Sequence, residues 1–278
     1  MSLRSHGNEC FPRNVGGVPG EAGGGGVRLV DTHIHLEEVE GNLDDALAEA
    51  RAAGVTDLIA MGVDVSTSRQ VVEWSKTKPG VWAAVGHHPL NQVGPDLAQL
   101  RLLARRPRVV AIGEVGLDHA DEHRGPHDAQ EEWFHRSCDL ALELGLPVCI
   151  HTRESTTAVY DALRVHPELT GVMHYWALSW EWARRFLDLG LYISFSGLVT
   201  RGSREELRDV ARRVPADRLL IETDAPWGTP RGREGKMRPA WMIDTARVVA
   251  EVRGIGLEEL AELEWSNVIK LFPRMNAA

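Results

Sequence analysis

The chain has 278 residues, of which 43% are hydrophobic and 26% charged; this is the composition of an ordinary globular protein, long enough for one large domain or two small ones. Its net charge of −9 excludes a protein that holds nucleic acid by overall basicity, so any grip on a polyanion needs a local basic patch or bound metal ions. No apolar run approaches the roughly 18 residues that span a bilayer, and no membrane partner is expected. The three cysteines (Cys10, Cys138, Cys149) are scattered and odd in number, which argues for a reducing compartment, hence a cytoplasmic location, and against a disulfide framework.

Residues 1–26 are rich in Gly, Asn and Pro, end in a run of four glycines and lack periodicity; they read as a disordered N-terminal tail. Residues 27–278 read as a single domain. From Val27 onward, strand-like runs alternate with helical patterns. The strands are expected at Val27–His35, Val55–Met61, Val81–Gly86, Val109–Glu114, Pro147–His151, Gly171–Tyr175, Leu191–Ser196 and Leu219–Asp224. Leu43, Ala46, Leu47 and Ala50 carry helical spacing, with Gly54 as a stop. Trp133, Phe134, Leu140, Ala141 and Leu144 line a second helix. Ser203 and Glu206 are spaced as a capping box before Leu207, Val210 and Val214. A last helix covers Leu257 to Phe272. Eight such units predict an α/β fold, a parallel (β/α)8 TIM barrel; an open doubly wound sheet is the alternative, weakened because no Gly-x-Gly-x-x-Gly follows the first strand.

The first strand ends in Asp31-Thr32-His33-Ile34-His35. Residues two apart on a strand share a face, so Asp31, His33 and His35 are expected together, with Thr32 and Ile34 opposite. Two imidazoles at a strand end can bind one divalent ion, although alone they read more often as two histidines in a polar loop. The other strand ends decide. His88 follows the third strand, Glu114 ends the fourth, His151 and Arg153 the fifth, His174 the sixth and Asp224 the eighth. In a barrel these ends meet at one mouth, where active sites are built. Four imidazoles and two carboxylates (His33, His35, His151, His174, Glu114, Asp224) can hold two divalent ions if Glu114 bridges, and the mixed N/O set suits Zn, Mn, Co or Ni better than Mg alone. Asp224 can also take a proton from the nucleophilic water, and Arg153 and His88 can donate to a phosphate oxygen.

Several blocks resemble the signatures of TatD-family metal-dependent hydrolases: Asp31-Thr32-His33-Ile34-His35-Leu36, Gly86-His87-His88-Pro89, Gly113-Glu114-Val115-Gly116-Leu117-Asp118, Leu146 through Arg153, and Leu219 through Pro226. Gln130 and Phe134 are similar to the helix after the fourth strand, and Asn267 to Phe272 to the closing helix. The resemblance covers residue 27 to about 273. It implies a TIM barrel, a dinuclear centre on His33, His35, Glu114, His151, His174 and Asp224 with Glu114 bridging, and DNase or 3′-exonuclease activity on nucleic acid. Barrel amidohydrolases with a carboxylated lysine after the fourth strand are disfavoured, since Glu114 stands there.

Three departures stand out. Trp176 and Leu178 replace a smaller aromatic and a glycine after the sixth strand. Met237-Arg238 replaces Asn-Glu near Arg231, Arg233 and Lys236. His119 opens a histidine-rich loop with His123 and His127, read as solvated rather than as a third metal site. The first two predict a narrow, locally positive rim that admits single-stranded DNA ends rather than duplex. An ester or amide hydrolase of the same fold (a deacylase or lactonase), and a non-catalytic barrel that keeps a metal site, are the competing readings. The sequence sets no oligomeric state.

Overall fold

In the computed structural model, which describes residues 27–120 and 127–276, strands and helices alternate from one end to the other. The strands are β1 (Leu29–Ile34), β2 (Val55–Met61), β3 (Val81–Val85), β4 (Val109–Asp118), β5 (Val148–Arg153), β6 (Gly171–Met173), β7 (Tyr192–Phe195) and β8 (Leu219–Ile221). The helices are α1 (Leu43–Ala52), α2 (Val65–Thr77), α3 (Leu97–Ala104), α4 (His127–Leu144), α5 (Thr156–Arg164), α6 (Trp180–Asp188), α7 (Glu205–Arg213), α8 (Met242–Arg253) and α9 (Leu257–Leu271). The eight strands form one parallel sheet in sequence order. Its first and last strands meet: Asp224 N donates to His33 O at 2.9 Å, and His35 N donates to Ala225 O at 3.0 Å. The expected TIM barrel is the fold, and the open sheet is not. The expected tail over residues 1–26 lies outside the described residues.

Apolar side chains fill both faces of the sheet. Inside the barrel, Val30, Ile59, Met61, Val172 and Leu220 pack into one cluster, which Val268, Leu271 and Phe272 from the end of α9 close from below. Asn267 fastens that plug by donating to Ala216 O (2.7 Å) and Leu219 O (2.9 Å). Burying a side chain the size of Phe272 contributes about 1.5–3 kcal/mol. Cys149 belongs to this interior, and its burial raises the thiol pKa, as expected of a core residue. The plug leaves the carboxyl ends of the strands as the open, polar end.

Three local expectations are corrected. Ser203 and Glu206 form no capping box: α7 is capped at Arg204, without a side-chain cap hydrogen bond, and the box occurs instead at Asp64 and Thr67 on α2. β6 and β8 stop at Met173 and Ile221, short of the expected ends, so His174 and Asp224 stand just past the last ladder bonds. β4 runs longer, to Asp118, and stays paired with β5 to Arg153. Gly116 permits this, because at φ 147° its Cβ position is filled by the His151 carbonyl. Among the described residues, no helix is long and apolar enough to cross a membrane.

Candidate metal centre

At the end of β1 the Nε2 atoms of His33 and His35 lie 3.3 Å apart. Asp224 Oδ1 sits 3.6 Å from the first and 3.5 Å from the second. Glu114 Oε2 sits 3.6 and 3.3 Å from the same pair. Asp31, of the same parity, does not join them. β1 shifts register between Asp31 and Ile34, and the Asp31 carboxylate turns to the Thr223 backbone N–H and hydroxyl.

The other oxygen of Glu114 faces a second group. Oε1 lies 2.8 Å from His151 Nδ1, 2.9 Å from His174 Nε2 and 3.5 Å from His88 Nε2. His151 Nδ1 and His174 Nε2 are 3.4 Å apart. His33, on the first side, stacks on His174, on the second, with ring centroids 3.9 Å apart. One carboxylate therefore joins two clusters of imidazole nitrogens.

Two acids stand behind these rings. Asp118 Oδ2 is 3.1 Å from His151 Nε2, which fixes the tautomer that turns Nδ1 inward. Asp118 is itself placed by Gln130, whose Oε1 accepts from the Asp118 backbone N–H at 3.0 Å. Glu222, fully buried, lies 3.5 Å from His174 Nδ1 and accepts from Tyr175 N. His88 is held differently. Its Nδ1 accepts from Leu90 N at 3.2 Å, so the neutral ring carries its proton on Nε2 and aims a donor at the centre. Burial lowers its pKa, against the pull of the Glu114 charge.

The buried charges shift strongly. Burial works to raise the Glu114 pKa, but the surrounding imidazoles of His88, His174 and His151 outweigh it and hold the carboxyl well below its ordinary range. Burial works to lower His174, and the Glu114 charge outweighs that to hold it at about 10. Burial, reinforced by His174, lowers His33 to about 4. Buried carboxylates demand positive charge close by.

The donor set fits divalent cations. Ligand atoms 2.0–2.1 Å from a tetrahedral ion stand roughly 3.3–3.4 Å apart, close to the separations around His33, His35, Asp224 and Glu114. Asp224 Oδ1 is buried, faces two imidazole nitrogens and has no hydrogen-bond donor. Three overlapping groups are close enough to share an ion: His33, His35 and Asp224; His33, Glu114 and His174; His88, Glu114 and His151.

The structure thus brings His33, His35, His88, Glu114, His151, His174 and Asp224 together. Arg153 ends β5 with an exposed side chain that makes no ion pair among the described residues. Sequence reading missed Asp118 and Glu222 as partners of the rings, although each sits inside a quoted block. It also missed Trp227, whose exposure has no periodic signature.

The expected narrowing of the rim is corrected, and its positive charge is reduced. Trp176 is buried and packs edge-on against Phe186, and Leu178 packs on the same core. Met237 is buried too. Three of the four nearby bases are paired with acids, Arg238 with Glu49 at 2.6 Å, Lys236 with Glu40 at 3.2 Å and Arg233 with Asp244 at 2.7 Å, while Arg231 has no acid partner among the described residues. In the histidine-rich loop, His119 and His127 stack at 3.9 Å and His119 Nε2 is buried, so these two rings are not simply solvated; His123 lies outside the described residues.

Comparison with known proteins places this geometry among relatives. The family described as TatD related DNase matches residues 30–273. The chain is 38% identical over 253 residues to the metal-dependent hydrolase YcfH of Escherichia coli (strain K12), covering 88% of this chain and 95% of that one. It is 35% identical over 240 residues to the 3′-5′ ssDNA/RNA exonuclease TatD of Klebsiella pneumoniae (strain 342), covering 82% and 91%. The crystal structure of YJJV, a TatD homolog from Escherichia coli K12, matches with a TM-score of 0.83 at 30% identity, covering 89% of this chain and 98% of that one.

Proposed function

The chain belongs to the TatD-related DNase family of metal-dependent hydrolases, and on that premise we propose that it hydrolyses phosphodiester bonds at single-stranded nucleic-acid ends, using two divalent ions. The observation that carries the dinuclear reading is Glu114, whose two oxygens face two separate imidazole clusters. His33, His35 and Asp224 would hold one ion, His151 and His174 the other, with Glu114 between them. Bound there, Zn, Mn, Co, Ni or Mg would act as a Lewis acid, lowering the pKa of the attacking water and offsetting phosphoryl charge.

The chain's own groups have distinct tasks. Asp224 Oδ1, free of hydrogen-bond donors, accepts the proton of the attacking water. His88 Nε2–H donates to a non-bridging phosphoryl oxygen. Arg153, two residues beyond His151, offers a second, bidentate donor. Asp118 keeps the His151 ring from rotating. Support for a nucleic-acid substrate comes from relatives named as single-stranded DNA and RNA exonucleases.

The test is a substrate panel with end-labelled single-stranded DNA, bis-p-nitrophenyl phosphate and an acyl ester, each with and without EDTA. Stepwise shortening of the DNA, abolished by EDTA, is expected. Ester turnover with no DNA cleavage would instead support the deacylase or lactonase reading.

A further inference from the structure

Trp227 is the only exposed aromatic side chain among the described residues, and half of its surface is open. It stands at the metal centre rather than at a remote place. Its ring meets the His35 ring edge-on, with centroids 5.0 Å apart and an interplanar angle of 83°. Its backbone N–H donates to Asp224 O at 2.8 Å, so a tight turn fixes the indole to the acid that accepts the proton. The next residue, Gly228, lies against the Tyr175 ring, and the following one, Thr229, receives Arg201 Nη2 at 3.3 Å. An indole held at its base and open on its face costs apolar exposure, and neither the barrel core nor the ion-ligating groups use it.

We propose that Trp227 is the stacking platform for the nucleobase at the scissile end, a specificity residue beside the reacting phosphate. The proposal rests on the nucleic-acid reading above. Every base has a π-face, so one indole accepts any of the four and selects for the presence of a base rather than its identity. Held by Trp227, the terminal nucleoside sets its phosphodiester against His35 and Asp224. Arg201 lies on the same rim, within reach of the neighbouring backbone charge.

The test compares wild type with Trp227→Ala and Trp227→Phe, all metal-loaded, on single-stranded DNA whose 3′-terminal residue is either a normal nucleotide or an abasic sugar. On normal ends Trp227→Ala should raise KM about 10-fold with kcat little changed, and Trp227→Phe should restore most of the loss. On abasic ends wild type and Trp227→Ala should be equal. A second readout needs no turnover. An oligonucleotide ending in 2-aminopurine behind a phosphorothioate linkage should be quenched on binding to wild type and to Trp227→Phe, and much less on binding to Trp227→Ala. An equal loss on normal and abasic ends, or unchanged quenching in Trp227→Ala, overturns the assignment of Trp227 alone. A wild type that cleaves neither oligonucleotide but hydrolyses an ester overturns the nucleic-acid reading, and this assignment with it.

Discussion

Asp118 and Glu114 grip opposite nitrogens of one ring: His151 Nε2 is 3.1 Å from Asp118 Oδ2, and His151 Nδ1 is 2.8 Å from Glu114 Oε1. The two acids sit four residues apart on β4, and the histidine between them comes from β5. Loss of such an outer partner costs about 10–100-fold in metal affinity. Asp118→Asn should therefore keep the fold and bind metal more weakly by that factor, read by competition with a chelator of known affinity.

Glu114→Gln should act on both clusters at once, because each oxygen serves a different one. Metal analysis after dialysis should show loss of both ions, and hydrolysis should fall to background. A variant that keeps one full equivalent would mean that the two clusters are independent.

Arg153 makes no ion pair among the described residues and touches the centre only through the effect of its charge on Asp118, so its removal should leave the ligands in place. Arg153→Ala should retain metal content and thermal stability and lose phosphodiester turnover about 10-fold. Arg153→Lys should recover only part, since a lysine cannot donate in a bidentate fork. Paired kinetics and metal analysis of the two variants check this.

Arg238 is tied to Glu49, and its neighbours Lys236 and Arg233 are also paired. Its charge is therefore largely spent, and exposed pairs contribute only about 0–1 kcal/mol to stability. Arg238→Ala should leave both Tm and the salt dependence of DNA cleavage within error of wild type. A flattened salt response would restore the positive rim expected from the Met237-Arg238 departure.

Glu264 on α9 is fully buried; one oxygen accepts from Val30 N at 3.3 Å and the other has no partner. Burial, against that hydrogen bond and with the Asp31 charge, raises its pKa well above the ordinary value. The fold therefore prefers the protonated acid. Its contribution to stability is complete below the unfolded pKa and is lost as pH rises through the folded one. Glu264→Gln should accordingly raise Tm by a few degrees, about 1 kcal/mol for a chain of this size, at neutral and alkaline pH. The advantage should shrink toward pH 4, as thermal melts across that range will report.

The barrel and the ligand-type residues were readable from the chain because both follow period and position. Strand runs recur eight times, and acids or histidines close most of them. Three kinds of feature were not readable. Asp31 shares the parity of His33 and His35, yet a register shift turns it to Thr223, and register is set by neighbours rather than by alternation. Trp176 looked like rim bulk and is core, because the loop after β6 folds down onto Phe186. The basic cluster near Arg238 reads as free because two of its acids, Glu40 and Glu49, come from the far end of the chain and the third, Asp244, from the helix that follows.

The seam where β8 closes on β1 is sewn by the backbone of His33, His35, Asp224 and Ala225. The side chains of three of these residues belong to one proposed ion site. An ion there would work as a clasp on the two ends of the sheet, closing a loop that contains almost the whole barrel. Chelation would then not only silence the enzyme but also unfasten it, lowering resistance to heat and protease. Because an ion that binds only the folded chain stabilises it by about 2.7 kcal/mol at a hundredfold excess over its Kd, the cell's metal supply would set the lifetime of this protein as well as its rate.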